Sequence, residues 1–176
     1  VSKLDAASTF NGGNGRDVVV VTASGIKGKE EITWAGFADK TPYRLTGEFT
    51  VSTGWKLNPG VILEMNRDAV IRINTDGYIL AKGTAAAKIV FNGANNTAAY
   101  WRGLICYSAD PKNLLEQVEV KNAGSVAIVS GKRANVAIYG NRATMTIKNT
   151  AISGSGGYGV FVGYGASANA DLTTVN

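Results

Sequence analysis

The chain has 176 residues, with 18 Lys and Arg against 13 Asp and Glu for a net charge of +5, one Cys and no His. This length suffices for one domain with a hydrophobic core. Because the chain has no His, it lacks the commonest general base and the commonest metal ligand, which excludes most hydrolase and zinc chemistry. The mild positive charge favours acidic partners, but no dense basic run indicates nucleic acid, and no apolar run reaches the roughly 20 residues that a membrane span needs.

The first 45 residues differ in pattern from the rest. They contain a Gly/Asn loop (FNGGNGRD), one wholly apolar run (VVVVT) and a mixed segment that ends in PYRLTG. If the remainder is a solenoid, as argued below, its open end must be covered, because bare terminal strands pair with other chains. We therefore assign residues 1–45 to an N-terminal capping segment with its own strands, and residues 46–176 to the coil.

The remainder of the chain consists of short alternating runs, and each predicts a β-strand. In VILEM, for example, Val61, Leu63 and Met65 face one side of the strand while Ile62 and Glu64 face the other. Clusters of Gly, Asn, Asp and Ser between the runs are typical of turns. Because no stretch of this region has a convincing helical period, it is predicted to be all-β.

The turn signal NTDG, Asn74 to Gly77, raises a question of catalysis, because the same four letters resemble the start of the active site in a pectin-hydrolysing family. Inverting hydrolysis needs an acid and a base held across the scissile bond. The chain has neither the Asp-Asp pair nor the Gly-His-Gly that the family carries. We favour a plain turn in which Gly77 supplies a positive φ and Asp76 bonds nearby backbone amides.

Charged residues near this turn are expected to form ion pairs. Glu64 and Arg72 point outward on neighbouring strands, so a solvated salt bridge between them is favoured over a calcium site, which needs six to eight oxygen ligands. Farther on, no Asp or Glu occurs between Val120 and Ala170. That segment predicts either a positive face that attracts acidic glycans or an ordinary soluble surface, and we favour the ordinary surface.

The segment AAYWRGLICYS holds the densest aromatic cluster. Aromatic faces stack on sugar rings, and Arg side chains hold carboxylates or hydroxyls. The candidate ligand-binding residues are Arg72, Tyr100, Trp101, Arg102 and Tyr107. A Trp beside a Gly at the start of a strand also fills the corner of a coil, so core packing is the favoured role of Trp101, whereas Arg102 and Tyr107 are predicted to lie outside. Cys106 is in phase with Leu104 and is predicted to be buried rather than nucleophilic.

An internal repeat supports a solenoid. When LEQVEVKNAGSVAIV is laid over IKNTAISGSGGYGVF, the offset is 32 residues. The matched positions are Leu115 with Ile147, Val120 with Ile152, Gly124 with Gly156, and Ile128 with Val160. A repeat of this size is typical of one winding of a β-solenoid.

The C-terminal residues suggest a coil that is not yet covered. Val160 and Val162 are expected to point inward and Phe161 falls out of phase with them, so Phe161 and its neighbour Tyr158 are expected either outside the coil, in contact with a missing segment or partner, or over the turn beside GSGG. The final DLTTVN reads as the first strand of another winding. We expect either further coil or a partner at this end.

Several phrases together resemble a known family. LNPGVILEMNRDAVIRINTDGYILAKGTAAAKIVFNG, YWRGLICYS, NLLEQVEVKNAGS and IKNTAISGSGGYGVFV are similar to the right-handed parallel β-helix repeats of secreted or surface-attached bacterial proteins, a group with a pectate-lyase-like fold. The resemblance implies an all-β, right-handed parallel β-helix of three sheets with apolar side chains stacked inside. It rests on strand and turn phrases, and not on an active-site motif.

The expected function follows from that resemblance. We expect a non-catalytic, extracellular or cell-surface module for adhesion or glycan binding, with polysaccharide as partner, no catalytic residue, and no metal or cofactor. The alternative is a polysaccharide lyase or glycoside hydrolase, or a fragment of one, that acts on acidic polysaccharide. Ice binding, a third class, requires a regular file of Thr on one face, and ATMT and LTT are isolated examples.

Overall fold

The computed structural model describes residues 1, 3–22 and 24–175, the last five of them as backbone only. Seventeen strands and no helix occur in these residues. The strands are β1 (Val19–Val21), β2 (Gly25–Lys27), β3 (Ile32–Trp34), β4 (Tyr43–Leu45), β5 (Glu48–Ser52), β6 (Gly54–Leu57), β7 (Ile62–Met65), β8 (Val70–Ile73), β9 (Tyr78–Lys82), β10 (Ile89–Gly93), β11 (Gly103–Cys106), β12 (Leu114–Glu116), β13 (Val118–Lys121), β14 (Ala134–Tyr139), β15 (Thr144–Ser153), β16 (Tyr158–Gly163) and β17 (Ser167–Val175).

All pairs between these strands are parallel, and they fall into three series. One runs β1-β4-β7-β10-β13-β15, the second β3-β6-β9-β12-β15, and the third β2-β5-β8-β11-β14-β16. The first two meet in the long strand β15, which also pairs with β17. Because each series takes about every third strand along the chain, the pattern is that of curled parallel sheets and is consistent with a parallel β-helix.

The predicted repeat is confirmed at three of its four positions. Leu115 pairs with Ile147 and Val120 with Ile152, and a Cβ on Gly124 would lie 2.9 Å from the backbone nitrogen of Gly156. The fourth match is wrong, since Val160 pairs with Val136. The reason is that Ile128 lies in the loop of residues 125–133, which the 32-residue offsets span, whereas β14 and β16 pair without such a loop between them.

The core lies between the three series of strands. Alternate residues of the central strands are fully buried there, as with Ile71 and Ile73 of β8, or Leu104 and Cys106 of β11. At the N-terminal end the core is aromatic, and the indoles of Trp34 and Trp55 meet edge to face at 5.1 Å. Each large apolar side chain buried in this way contributes about 1.5–3 kcal/mol, so the stack of inward residues accounts for most of the favourable packing.

Parallel pairing begins earlier in the chain than the sequence indicates. Strands β1 to β3 pair with β4 to β6, so the ladder starts at Val19 instead of near residue 46. Ahead of it, the ring of Phe10 packs against Phe37 at 4.8 Å. Asp39 accepts hydrogen bonds from the backbone N–H groups of Phe10 at 2.5 Å and Asn11 at 3.2 Å. The capping role of residues 1–45 stays a prediction.

At the other end, Val162 of β16 is 40% exposed, although its phase was expected to turn it inward. No described strand lies beyond β16 in its series, so nothing in this part of the structure covers the side chain. The predicted DLTTVN strand is present as the end of β17, while Asn176 lies outside the described residues. In the described part of the chain no helix is long and apolar enough to cross a membrane.

Candidate ligand-binding surface

The outer face of the β2-β5-β8-β11-β14-β16 sheet carries a straight row of aligned side chains. Ile73 pairs with Cys106, and Cys106 with Ile138. These three residues point inward, so the residues that follow them, Asn74, Tyr107 and Tyr139, point outward one winding apart. Pairing of side chains across parallel strands therefore brings together residues that are far apart in sequence.

Three tyrosines form what we call the tyrosine file: Tyr107, Tyr139 and Tyr164. The rings of Tyr107 and Tyr139 meet edge to face with centroids 6.5 Å apart. The rings of Tyr139 and Tyr164 are nearly parallel, at 20°, with centroids 5.6 Å apart. Tyr164 is 71% exposed, whereas the other two are half-buried. The file thus offers a continuous aromatic surface that solvent reaches.

Arg72 extends the file toward the N-terminal end. Its Nη1 donates a hydrogen bond of 3.1 Å to the hydroxyl of Tyr107, and its guanidinium lies 5.6 Å from the centre of the same ring. Its Nε donates to Glu48 at 2.9 Å. Partial burial opposes the charge on Arg72, but the hydrogen bond and the charge of Glu48 outweigh it and raise the pKa of Arg72. Arg72 is therefore a fixed cation that holds Tyr107 in place.

The expected Glu64–Arg72 salt bridge is wrong. Glu64 of β7 pairs instead with Arg44, which stands directly opposite it on β4, and Arg72 pairs with Glu48. Ion pairs do form between windings, as predicted, but the partners differ because β7 and β8 belong to different series of strands.

A depression of about 340 Å³ continues the row beyond Arg72, and the polar side chains of Lys27, Thr50 and Ser52 contribute to its lining. We call it the polar depression after these three side chains. Lys27 pairs with Ser52 in the ladder, and Asn74 Nδ2 donates to Ser52 Oγ at 2.9 Å. The same outward row therefore runs from Lys27 through Ser52 and Asn74 to the tyrosine file. Its one end is rich in hydroxyl, amide and ammonium groups, and its other end is aromatic.

The 125–133 loop forms a wall beside the tyrosine file. Its Ile128 packs on the outward side chains of Val70 and Ile105, which form a second apolar cluster outside the main core. Arg102 Nε donates to the carbonyl of Ala127 at 2.9 Å, and the hydroxyl of Ser130 donates to that of Tyr139 at 2.8 Å. The loop is thus tied to the sheet at its base and to the file at its tip.

The five residues proposed from the sequence separate into different environments. Arg72 and Tyr107 are in contact on the surface, while Arg102 points outward as expected and holds the loop. Trp101 is fully buried and its Nε1 donates to the carbonyl of Lys121 at 2.6 Å. The predicted core role of Trp101 is confirmed, and its indole has no surface on which a ligand could stack, so we remove it from the candidate surface.

Tyr100 takes part in a different contact. The Arg67 guanidinium lies 5.1 Å from the centre of the Tyr100 ring, and Tyr100 packs partly against the main core. Among the described residues, no aromatic pair joins Tyr100 to the tyrosine file. Tyr100 therefore serves as a matched control for the tyrosines of the file.

Sequence reasoning missed Tyr139 and Tyr164. The signal for Tyr139 was present, because the 32-residue repeat offset leads from Tyr107 directly to Tyr139. Tyr164 follows Gly163, which pairs with Tyr139, and it is only 25 residues farther along the chain. No constant offset could therefore have placed it.

The NTDG segment is a turn, as predicted, and the N–H of Gly77 bonds the carbonyl of Asn74 at 3.1 Å. Its details differ from the prediction. Gly77 does not have a positive φ; instead, a Cβ at this position would lie 2.3 Å from the carbonyl oxygen of Val51. Asp76 is exposed and accepts no hydrogen bond from any residue that the structure describes. Across the same residues no three His, Cys, Asp or Glu side chains cluster as metal ligands would.

Two further predictions concern single side chains. Cys106 is fully buried, as expected, and burial raises its thiol pKa to about 11, although a hydrogen bond with Ser108 acts in the opposite direction. Phe161 packs on the outer apolar cluster beside Tyr158, with ring centroids 5.9 Å apart. Both aromatics therefore lie outside the main core. The phase accounts for Phe161, but Tyr158 has the same phase as Val160 and is exposed at the start of β16.

The fold and this surface define a class of protein: an all-β chain of parallel curled sheets with an aromatic and polar row on one outer face. No family model matches the chain, no curated protein matches it, and no solved structure matches it. The surface itself is therefore the feature that indicates a function.

Proposed function

We propose that this protein is a non-catalytic carbohydrate-binding module with a right-handed, pectate-lyase-like parallel β-helix, positioned outside the cytoplasm or on the cell surface. Its binding surface is the tyrosine file together with Arg72, Asn74 and the polar depression. The observation that carries the proposal is the alignment of Tyr107, Tyr139 and Tyr164 along the coil, with ring contacts of 6.5 and 5.6 Å.

A periodic row suits a periodic ligand. Neighbouring parallel strands are about 4.8 Å apart, so the row presents a similar group at each winding to a linear polymer lying along it. Aromatic rings supply apolar faces for sugar rings, and Tyr hydroxyls add hydrogen bonds. Ser52 and Asn74 supply the further polar groups that fix a sugar in one orientation.

The charges on the row indicate what kind of polysaccharide fits. Arg72 is neutralised by Glu48, so it stabilises Tyr107 more than it attracts an anion. Lys27, in the depression, is exposed, so solvent and salt screen its charge. We therefore expect binding of neutral or weakly acidic polysaccharides through stacking and hydrogen bonds, with only a small dependence on salt.

The decisive experiment compares binding of a panel of linear polysaccharides, neutral and acidic, by affinity electrophoresis. The variants are wild type, the double variant Tyr107→Ala with Tyr139→Ala, and the control Tyr100→Ala. We expect at least one polysaccharide to retard wild type and the control, with affinity about tenfold lower in the double variant, which corresponds to about 1.4 kcal/mol.

Equal retardation of the double variant and wild type would refute the proposal, as would the absence of binding to every polysaccharide. The same samples, incubated with calcium and assayed for unsaturated products and new reducing ends, test the enzymatic alternative. Turnover would replace a binding module with a lyase or hydrolase acting on acidic polysaccharide.

A further inference from the structure

A second surface lies on a different sheet from the tyrosine file. There, the chain segments that lead into β4, β7 and β10 approach one another. Small residues bring the backbones together here. A Cβ on Gly36 would lie 2.4 Å from the carbonyl carbon of Gly60, and the N–H of Gly60 donates to the carbonyl of Ala87 at 3.1 Å. Because so few side chains fill this corner, a groove of about 760 Å³ remains open.

The groove is mainly apolar. Ile62 and Val90 form its base on adjacent strands, where they pair directly, and Phe37 and Pro59 contribute to its walls. Sites for small molecules typically have volumes of roughly 300–1,000 Å³, with apolar linings and a few polar groups that orient the ligand. The groove has the size and lining of such a site.

The charged groups around the groove are unbalanced. Lys88 Nζ lies 3.2 Å from Glu119, and Lys121 Nζ lies 2.5 Å from the same carboxylate. The hydrogen bond from Lys121 lowers the pKa of Glu119 against the opposing effect of partial burial, so this carboxylate stays ionised. Lys40, also at the groove, has no ion pair with any residue in the described part of the chain.

The local charge therefore favours an anion. Lys88 and Lys121 share the carboxylate of Glu119, and Lys40 adds a further ammonium group. The carboxylate of Asp39, next to Lys40 in the chain, accepts hydrogen bonds from backbone amides instead and forms no ion pair with any described residue. An anionic head group near Lys40 gains attraction at the edge of a low-polarity surface, where it is stronger than in bulk water. A cationic head group would meet net repulsion.

We propose that this groove binds a small aliphatic monocarboxylate, whose hydrocarbon chain lies on Ile62 and Val90 and whose carboxylate is held by Lys40. The site is independent of the polysaccharide surface proposed above, because it lies on another sheet and shares no residue with the tyrosine file. The ligand that we propose is a single carboxylate free in solution, because a groove of about 760 Å³ has the size of a small-molecule site.

The test uses 1-anilinonaphthalene-8-sulfonate, an amphipathic anion that fluoresces in apolar sites, displaced by sodium decanoate. Decyltrimethylammonium carries a hydrocarbon chain of similar length with the opposite charge. We expect decanoate to displace the dye from wild type and the cation to fail. Lys40→Gln should weaken decanoate by about fivefold, because it removes one charge contact. Lys40→Arg should retain the affinity, and the exposed control Lys148→Gln should not change it.

Ala87→Phe places a large side chain in the groove and leaves Lys40 unchanged in sequence, and we expect it to abolish displaceable dye binding while polysaccharide binding remains. Thermal melts establish that this variant folds; if it does not, the comparison of Lys40→Gln with Lys40→Arg decides. Equal displacement by the two decyl compounds, unchanged affinity in Lys40→Gln, or binding only to anionic vesicles would each overturn the proposal. Because the tyrosine variants leave the groove intact, failure of one site does not imply failure of the other.

Discussion

Tyr107 and Tyr139 lie one winding apart on the outer face of the six-stranded sheet, with ring centroids 6.5 Å apart and ring planes at 87°. Each ring also has a polar partner, since Arg72 donates to the hydroxyl of Tyr107 and Ser130 donates to that of Tyr139. These contacts hold both rings in fixed orientations before any ligand arrives. Less ordering entropy is then lost on binding.

Substitutions at Tyr139 separate the role of the ring from that of its hydroxyl. Tyr139→Phe removes only the bond to Ser130, so we expect polysaccharide affinity close to that of wild type. Tyr139→Ala removes the stacking surface, and we expect affinity to fall about fivefold to tenfold, or about 1–1.4 kcal/mol. Affinity electrophoresis measures both. Equal losses in the two variants would show that the hydroxyl, and not the ring, makes the contact.

Substitution of Trp101 tests how much packing in the core contributes to stability. Its side chain is fully buried and donates to Lys121, so Trp101→Ala leaves both a cavity and an unpaired carbonyl. We expect the free energy of unfolding to fall by about 3–5 kcal/mol, measured from guanidinium chloride midpoints. Tyr100→Ala, on the neighbouring half-buried residue, is the matched control. If both variants lose similar stability, Trp101 has no special role in the corner of the coil.

The inward side chains were predictable because the alternation is local. In a strand, whether a residue points into the core depends only on its neighbours two positions away. The phases assigned to Val61, Leu63 and Met65, and to Leu104 and Cys106, are confirmed, since all five side chains are fully buried. The fully buried Trp101 follows from the same reasoning, applied to a bulky residue at the start of a strand.

Contacts between windings were harder to predict because they depend on the length of a whole turn of the coil. The register places Glu64 opposite Arg44, and Arg72 opposite Thr50 with Glu48 nearby. The 125–133 loop lengthens only the offsets that span it, such as Leu104 to Val136, and not the later one from Val136 to Val160. A constant offset therefore finds Tyr139 but cannot find Tyr164. The sequence thus predicts which side chains lie outside, while the structure is needed to show which of them meet.

Substitution of Gly77 tests whether two backbone segments must pass close together at this position. A positive φ is not involved. A Cβ here would lie 2.3 Å from the carbonyl oxygen of Val51, so Gly77→Ala forces two windings apart. We expect a loss of about 1–3 kcal/mol in the free energy of unfolding, as for other overpacked sites. Gly47→Ala is the control, since a Cβ at Gly47 meets nothing within 4 Å. Thermal denaturation that does not distinguish the two variants would contradict this account.

Asp39 makes the attachment of the N-terminal segment sensitive to acid. Partial burial raises its pKa, but hydrogen bonds from the backbone of Phe10, Thr41 and Asn11 outweigh this and lower the pKa from 3.8 to about 2. Because the pKa of Asp39 is lower in the folded state than in the unfolded state, the carboxylate stabilises the fold fully above about pH 4. This contribution is lost as the pH falls toward 2.

Hydrogen exchange of the Phe10 and Asn11 amides between pH 2 and pH 5 measures this effect. In wild type, after correction for intrinsic rates, we expect protection to fall as Asp39 becomes protonated. In Asp39→Asn, protection should be lower throughout and should show no such step. A step of equal size in both proteins would assign the acid sensitivity to another group.

Cys106 links the packing of the coil to its chemistry at high pH. Burial raises the thiol pKa from 9.0 to about 11, so the folded state resists forming the thiolate that alkylating reagents require. Two pKa units correspond to about 100-fold less thiolate, and the side chain is fully buried as well. We expect iodoacetamide at pH 8.5 to modify the folded protein at least about 100-fold more slowly than the protein in denaturant.

The same shift predicts the direction of alkaline destabilisation. Unfolding releases a proton from Cys106 once the pH exceeds about 9, so stability falls as the pH rises from 9 toward 11. Tyr43 acts in the same direction, since burial raises its pKa to about 12. Cys106→Ala should lose the part of this slope that belongs to the thiol. Rapid alkylation of the folded protein would show that Cys106 is more accessible than its full burial implies. An identical slope in the variant would show that the thiol does not cause the alkaline destabilisation.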